Sequence, residues 1–193
     1  MRTDVALIQC HHLRKGIYAP NYTLAVAHIK KALKDSGLNC TIIEAIQGTP
    51  RERVDSTVDQ LRRCKPRAIG LSSTSKLWKT TRALTRIIRR EFPEVPIVAG
   101  GYISLYPEIM QMAEIDVLFH GEGEVRSPAL FQALVSGQDV KEIPGLLVRE
   151  NGAIISTGEV PERLDDLDRF VPDHDDVIVR AEPSDMDIAY IYA

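Results

Sequence analysis

The chain carries only three cysteines, Cys10, Cys40 and Cys64. An odd number at such wide spacing fits neither a disulfide framework nor a zinc-binding pattern, and they read as reduced thiols. Charge of one sign is also missing: 24 Lys and Arg against 27 Asp and Glu leave a net charge of -3. No basic stripe calls for nucleic acid and no polyacidic tail calls for a basic partner, so small molecules and proteins are the expected partners. Long apolar runs are absent. Met1-Arg2-Thr3-Asp4 passes at once into Val5-Ala6-Leu7-Ile8, which is shorter than a signal-peptide core and far shorter than a membrane span. A cytoplasmic protein is the expectation.

A glycine-rich dinucleotide fingerprint is missing as well. The loop from Cys10 to Tyr22 contains only Gly16, which argues against a nicotinamide or flavin dinucleotide. Gly121-Glu122-Gly123 has part of such a pattern, but it follows the fifth strand and its glutamates repel phosphate. A receiver-type phosphorylation site needs acidic residues after strand one and an aspartate ending strand three. Gln9-Cys10 and Ser72-Ser73 stand there instead.

What is present is an alternation of short buried strands and amphipathic helices, in a chain of 193 residues long enough for one sizeable core. After the first strand, Ala25, Ile29, Ala32 and Leu33 recur at helical spacing up to Gly37. Cys40-Thr41-Ile42-Ile43 is a β-branched strand. Thr49-Pro50-Arg51-Glu52 is a capping box with proline at the first helical position, ahead of the stripe Val54, Val58, Leu61. Ala68-Ile69-Gly70-Leu71 breaks into Ser72-Ser73-Thr74-Ser75, and Leu77, Thr81, Leu84 and Ile88 mark the inner face of the next helix. Ile97-Val98-Ala99 stops on Gly100-Gly101, a short helix covers Pro107 to Met112, and Val117-Leu118-Phe119 runs into His120-Gly121-Glu122-Gly123-Glu124. A fifth helix is expected from Ser127 as cap and Pro128 as first residue, to Gly137.

Such alternation requires right-handed crossovers and a parallel sheet. The predicted fold is α/β, a Rossmann-like or flavodoxin-like three-layer sandwich with a five-stranded parallel sheet in the order 2-1-3-4-5, over residues 1–143. Residues 144–157, with a turn at Asn151-Gly152, read as a β-hairpin appendage. Residues 158–193, rich in Asp, Glu and Pro, read as a linker. Ligands of open α/β sheets bind outside the carboxyl ends of the strands, so the loops after Ile8, Leu71, Ala99 and Phe119 are the candidate site.

Each candidate has a plain structural reading beside the functional one. The glycine pairs are tight turns or places where backbone meets a bulky ligand. Ser72, Ser73 and Thr74 either cap a helix or hold an amide-bearing or phosphate-bearing ligand. Trp78 fills the core or covers a flat ligand. Glu122 and Glu124 cap the fifth helix or contact a ligand. Cys10, His11 and His12 have ligand chemistry but no third ligand at helpful spacing, so no metal site is assigned; a catalytic thiol at Cys10 needs a base that spacing alone does not supply.

Taken together, these loops resemble the cobalamin-binding domain at the amino-terminal part of cobalamin-dependent radical SAM enzymes. The resemblance rests on Tyr18-Ala19-Pro20 through Leu24, Ile69-Gly70-Leu71-Ser72-Ser73-Thr74, Val98-Ala99-Gly100-Gly101 and His120-Gly121-Glu122-Gly123-Glu124. Ile143-Pro144-Gly145, Leu164 to Asp168 and Pro172-Asp173 are similar to the connector that leads to the radical SAM barrel. The resemblance implies cobalamin as cofactor, its corrin ring over the carboxyl edge of the sheet and its dimethylbenzimidazole tail in a slot beside a helix. It implies contacts from Cys10, His11, His12, Gly70, Ser72, Ser73, Thr74, Gly100, Gly101, Tyr102, His120, Gly121, Glu122 and Gly123.

The Asp-x-His-x-x-Gly segment that supplies a histidine to cobalt in methionine-synthase-type domains is absent, which implies base-off cofactor without a histidine lower ligand. The full-length enzymes of the family also use S-adenosylmethionine and a 4Fe-4S cluster held by a CxxxCxxC loop, and none of the three cysteines fits that loop. Ala189 to Ala193 resembles the first strand of the barrel. The implied whole is a methyltransferase or cyclase whose catalytic barrel is the partner of this chain; by itself the chain is expected to bind cofactor without catalysing the radical reaction. The rival expectation is a cofactor-free docking or regulatory module on the same fold.

Overall fold

The computed structural model describes residues 3–10, 24–44, 49–159 and 177–179. Strand β1 (Val5–Gln9) is followed by α1 (Leu24–Asp35), β2 (Cys40–Glu44), α2 (Pro50–Cys64), β3 (Ala68–Ser72), α3 (Trp78–Glu91) and β4 (Ile97–Gly100). Then come α4 (Ile109–Met112), β5 (Val117–Phe119), α5 (Gly123–Ser136), β6 (Leu146–Glu150), β7 (Ala153–Ser156) and β8 (Val177–Val179). Single 3-10 turns, Ser75–Leu77 and Tyr102–Leu105, precede α3 and α4.

The strands form one sheet in the order β7-β6-β5-β4-β3-β1-β2-β8. Its centre is the expected parallel 2-1-3-4-5 array. The sheet is wider than the five strands expected, at both edges. The hairpin is no appendage: β6 pairs antiparallel with β5, Phe119 opposite Leu146 and Val117 opposite Val148. Leu146 and Val148 join the core on one face while Leu147 packs against the other. A continuous apolar run suits a strand covered on both sides. Arg149 fastens it by donating to the carbonyls of Ile115 at 3.0 Å and of Met110, in α4. At the far edge β8 pairs with β2, Ile42 opposite Val177, so part of the expected linker is a strand. Val177-Ile178-Val179 is an apolar triplet within that acidic stretch.

Strand alternation divides the core into two layers. Ala6, Ile8, Ile69, Leu71, Ile97, Ala99 and Leu118 face α2, α3 and α4, where Leu61, Leu84, Ile88 and Met110 cover them. Val5, Leu7, Val98, Val117 and Phe119 face α1 and α5, against Val26, Leu33, Leu130 and Phe131. Cys10 belongs to the first layer. Burial pushes its thiol from an ordinary 9.0 up to about 11, while the Ser73 and Thr81 hydroxyls beside it pull partly the other way. Trp78 packs half-buried against the same layer, as core. No helix among the described residues is long and apolar enough to cross a membrane.

Helix α2 begins as its sequence requires: Thr49 N–H donates to Glu52 Oε2 at 2.6 Å and Glu52 N–H donates to Thr49 Oγ1 at 3.3 Å. Helix α5 does not. It starts at Gly123, with Glu122 at the cap position and Pro128 inside the helix. Proline has no N–H to give the carbonyl four residues back, that of Glu124. The helix tolerates this because its inner face, Ser127, Leu130 and Phe131, is fully buried.

Two outcomes are expected. Thr49→Ala removes one half of the capping box on an exposed turn and lowers stability by about 1 kcal/mol, a fall in Tm of about 2–4 °C measurable by circular dichroism. At pH 8 only about one part in a thousand of Cys10 is thiolate. Cys10→Ser therefore leaves the native-state labelling count with a thiol reagent unchanged at that pH; a lost fast-reacting thiol contradicts the burial. Because the unfolded thiol ionises first, Cys10's contribution to stability is lost as pH rises from 9.0 towards about 11.

Candidate functional site

A cavity of about 550 Å³ opens at the carboxyl edge of the sheet on the side of α1 and α5. Its floor consists of two rows of neighbouring strand positions. In the deeper row Leu7 pairs with Gly70, Gly70 with Val98, and Val98 with Val117. In the row nearer the edge Gln9 pairs with Ser72 and Ser72 with Gly100. Side chains are thus missing where they would otherwise fill the space. A Cβ on Gly70 would stand 2.7 Å from Leu7 Cδ2 and 3.0 Å from Phe131 Cζ; one on Gly123 would stand 2.5 Å from Ile29 Cδ1. Gly100 differs, since a Cβ there meets nothing closer than Phe119 at 3.8 Å and would project into open cavity.

The loops around the rim are tied to one another through the backbone. Cys10 N–H donates to Ser72 O (3.0 Å), Ser73 N–H to Gly100 O (3.1 Å) and Ile103 N–H to Ser73 O (3.1 Å). This last approach needs Gly101, whose φ of 79° and ψ of -162° are open essentially to glycine alone. A Cβ at Gly101 would also lie 3.0 Å from Ser73 O. On the other side, the Arg126 guanidinium donates to Pro144 O (2.5 Å) and His120 O (2.6 Å) and lies 4.5 Å from the centre of the Phe119 ring. It fixes the His120–Gly123 loop, and burial lowers its pKa. His120 Nδ1 is 3.2 Å from the Ser104 carbonyl. A carbonyl only accepts, so Nδ1 carries the proton and Nε2 is the acceptor in the neutral ring.

Several polar atoms of the wall have no partner among the described residues. Thr74 Oγ1, Glu124 Oε2 and Ser127 Oγ are all inaccessible and unpaired. The capping alternative accounts for none of them: Thr74 and Glu122 occupy cap positions without a side-chain capping bond. Buried polar groups without partners are costly, and three around one cavity mark it as shaped for a polar-bearing occupant. Above them the rim is apolar, with Tyr102 74% exposed and Leu105 57% exposed.

Gly70, Ser72, Ser73, Thr74, Gly100, Gly101, Tyr102, His120, Gly121, Glu122 and Gly123 therefore come together on this cavity. Cys10 does not line it; its side chain belongs to the opposite layer. His11 and His12 lie outside the described residues, as do the connector segments after residue 159. Among the described residues no group of three or more His, Cys, Asp or Glu is arranged to hold a metal ion. Sequence reasoning missed the apolar wall, Leu7, Val26, Ile29, Val98 and Phe131, and the polar Gln9 and Ser127. A wall residue and a core residue have the same period, so only Gln9, polar in a strand, carried a signal.

This geometry has counterparts. The sequence pattern of the B12 binding domain family matches residues 15–131. The uncharacterised methyltransferase PH0819 of Pyrococcus horikoshii is 27% identical over 117 residues, 58% of this chain and 25% of that protein. The UPF0313 protein MJ1155 of Methanocaldococcus jannaschii is 31% identical over 116 residues, 52% of this chain and 19% of that protein. Among solved structures, the radical S-adenosylmethionine methyltransferase TsrM of Kitasatospora setae, with cobalamin and a [4Fe-4S] cluster bound, superposes with a TM-score of 0.68. The match has 21% identity and covers 82% of this chain and 31% of TsrM. The cobalamin-dependent S-adenosylmethionine radical enzyme OxsB, with aqua-cobalamin bound, gives 0.68 at 18% identity over 83% of this chain and 23% of OxsB. The chain thus spans less than a third of each of these proteins. The two structural likenesses establish the fold, and the family match covers more than half of the sequence, so the chain belongs to the B12 binding domain family.

Proposed function

We propose that this chain binds cobalamin, in the base-off form and without a histidine lower ligand, as the cofactor-binding part of a radical SAM enzyme of the methyltransferase or cyclase type. The observation that carries the reading is the cavity itself: backbone without side chains at Gly70, Gly100 and Gly101 beside hydroxyls that have no partner among the described residues. The narrow, apolar lower part, between Leu7, Val98 and Phe131, suits the flat dimethylbenzimidazole tail. The rim suits the corrin ring, whose apolar edge meets Tyr102 and Leu105 and whose amide side chains are matched by Thr74 and Ser72. When bound, cobalamin supplies a cobalt centre able to carry a methyl group.

This chain's own residues bind and orient. Gly101 lets the Ser73 carbonyl and the β4 turn close up beneath the ligand. Arg126 holds the His120–Gly123 loop at its height. The apolar wall keeps water from the tail. The absence of an Asp-x-His-x-x-Gly segment supports the base-off state without a histidine lower ligand. The cluster and S-adenosylmethionine belong, on this reading, to a radical SAM barrel in another segment of the enzyme. Cys10, Cys40 and Cys64 sit on separate elements, with Cys10 buried, and none stands in a CxxxCxxC loop. The hairpin and β8 (Val177–Val179) both belong to the sheet of the binding unit.

Two measurements test this. Titration of the purified chain with hydroxocobalamin and methylcobalamin produces a saturable visible spectral shift to the base-off form; a folded protein giving no shift leaves a cofactor-free docking module as the better account. Gly100→Leu, placed where a Cβ has room but the ligand does not, weakens binding at least tenfold, about 1.4 kcal/mol, with Tm nearly unchanged. Undiminished affinity in that variant removes the site from this cavity.

A further inference from the structure

Two of the unpaired atoms stand together on α5. Glu124 and Ser127 are three residues apart, so they are neighbours on one helix face, and both line the cavity. Ser127 is only 3% exposed, yet its hydroxyl has no partner among the described residues, and the same holds for Glu124 Oε2. An acidic residue in the first turn of a helix is favoured by the helix dipole. That accounts for a carboxylate in water, but it does not account for an oxygen sealed from water and left without a hydrogen bond. Nor does capping, since the α5 cap position makes no side-chain bond.

The chemistry of the pair narrows what completes it. An ionised carboxylate only accepts, so Glu124 Oε2 needs an N–H or O–H donor; a serine hydroxyl both donates and accepts. A dimethylbenzimidazole ring in the base-off state has an acceptor nitrogen and methyl groups but no such donor, so the ring alone leaves Glu124 unsatisfied. We infer that Glu124 and Ser127 form a subsite for a neutral group that donates and accepts at once, a hydroxyl or a primary carboxamide of the corrinoid. Glu124 Oε2 accepts its hydrogen bond and Ser127 donates to its oxygen. Two parts of cobalamin carry that chemistry, the ribose of the nucleotide tail and the amide arms of the corrin. The inference rests on cobalamin occupying the cavity.

The test is the affinity of wild type, Glu124→Gln and Ser127→Ala for hydroxocobalamin and for diaquacobinamide, which keeps the corrin amides and lacks the nucleotide. Exchanging a charged acceptor for a neutral one weakens cobalamin binding about tenfold in Glu124→Gln. If cobinamide affinity is unchanged, the partner is the ribose hydroxyl; if both weaken alike, it is a corrin amide. Ser127→Ala gives a second readout that a structural serine would not give. Its ligand-free Tm is equal to or above that of wild type, because an unpaired buried hydroxyl has been removed, while its cobalamin affinity falls. Wild type that binds cobalamin with the same affinity as both variants overturns this inference alone. Wild type that binds neither corrinoid overturns the proposed function and the subsite with it.

Discussion

A row of absent side chains governs this molecule. Between Leu7 and Val98 stands Gly70, and beside Ser72 stands Gly100, so the α1 and α5 face of the sheet is bare where its strands end. Everything around the cavity answers to that bareness. Leu7 and Phe131 close over Gly70 so tightly that a methyl group would collide with both. Helix α1 comes close enough for Ile29 to press on Gly123. On the opposite face Ile69, Leu71, Ala99 and Leu118 pack against α2, α3 and α4. The α1 and α5 layer is both core and site.

The electrostatics follow from the same division. Arg126 has its charge spread over main-chain carbonyls and the Phe119 ring; it braces the loop after β5 against the turn before β6. Of the hydroxyls around the cavity, Ser73 pairs with Thr81 at 2.7 Å, while Thr74 and Ser127 have no partner among the described residues. A ligand that completes those missing bonds gains binding free energy there.

Much of this was legible beforehand. The glycine-ended strands, the hydroxyl run after β3 and the His120–Glu124 segment pointed to one sheet edge, because strand order in alternating α/β chains is narrowly restricted; the cobalamin-binding family came from the resemblance of these motifs to that domain. The misreadings have physical causes. Leu146-Leu147-Val148 reads from sequence as part of a β-hairpin appendage, but β6 pairs with the open edge of β5, and a run apolar at every position is what a strand needs when both faces are covered. The start of α5 was expected at Ser127-Pro128, because proline favours the first helical turn. Burial of the Ser127, Leu130 and Phe131 face extends the helix back to Gly123 in spite of Pro128.

By itself, then, the sequence determined the elements whose causes are local: the capped start of α2, the stripe of α3, the glycine breaks after β4 and β5, and the alternation that divides each strand between two faces. Period and capping act within a few residues, and they can be read in order along the chain. Only the tertiary structure decided that Cys10 turns away from the site, that Gly70 and Gly100 bare adjoining rows of one face, and that Glu124 Oε2 and Ser127 Oγ are shielded without partners among the described residues. Those facts depend on which side of a strand a residue occupies relative to helices more than a hundred positions away, as Leu7 is from Phe131, and no local pattern records what lies across the sheet.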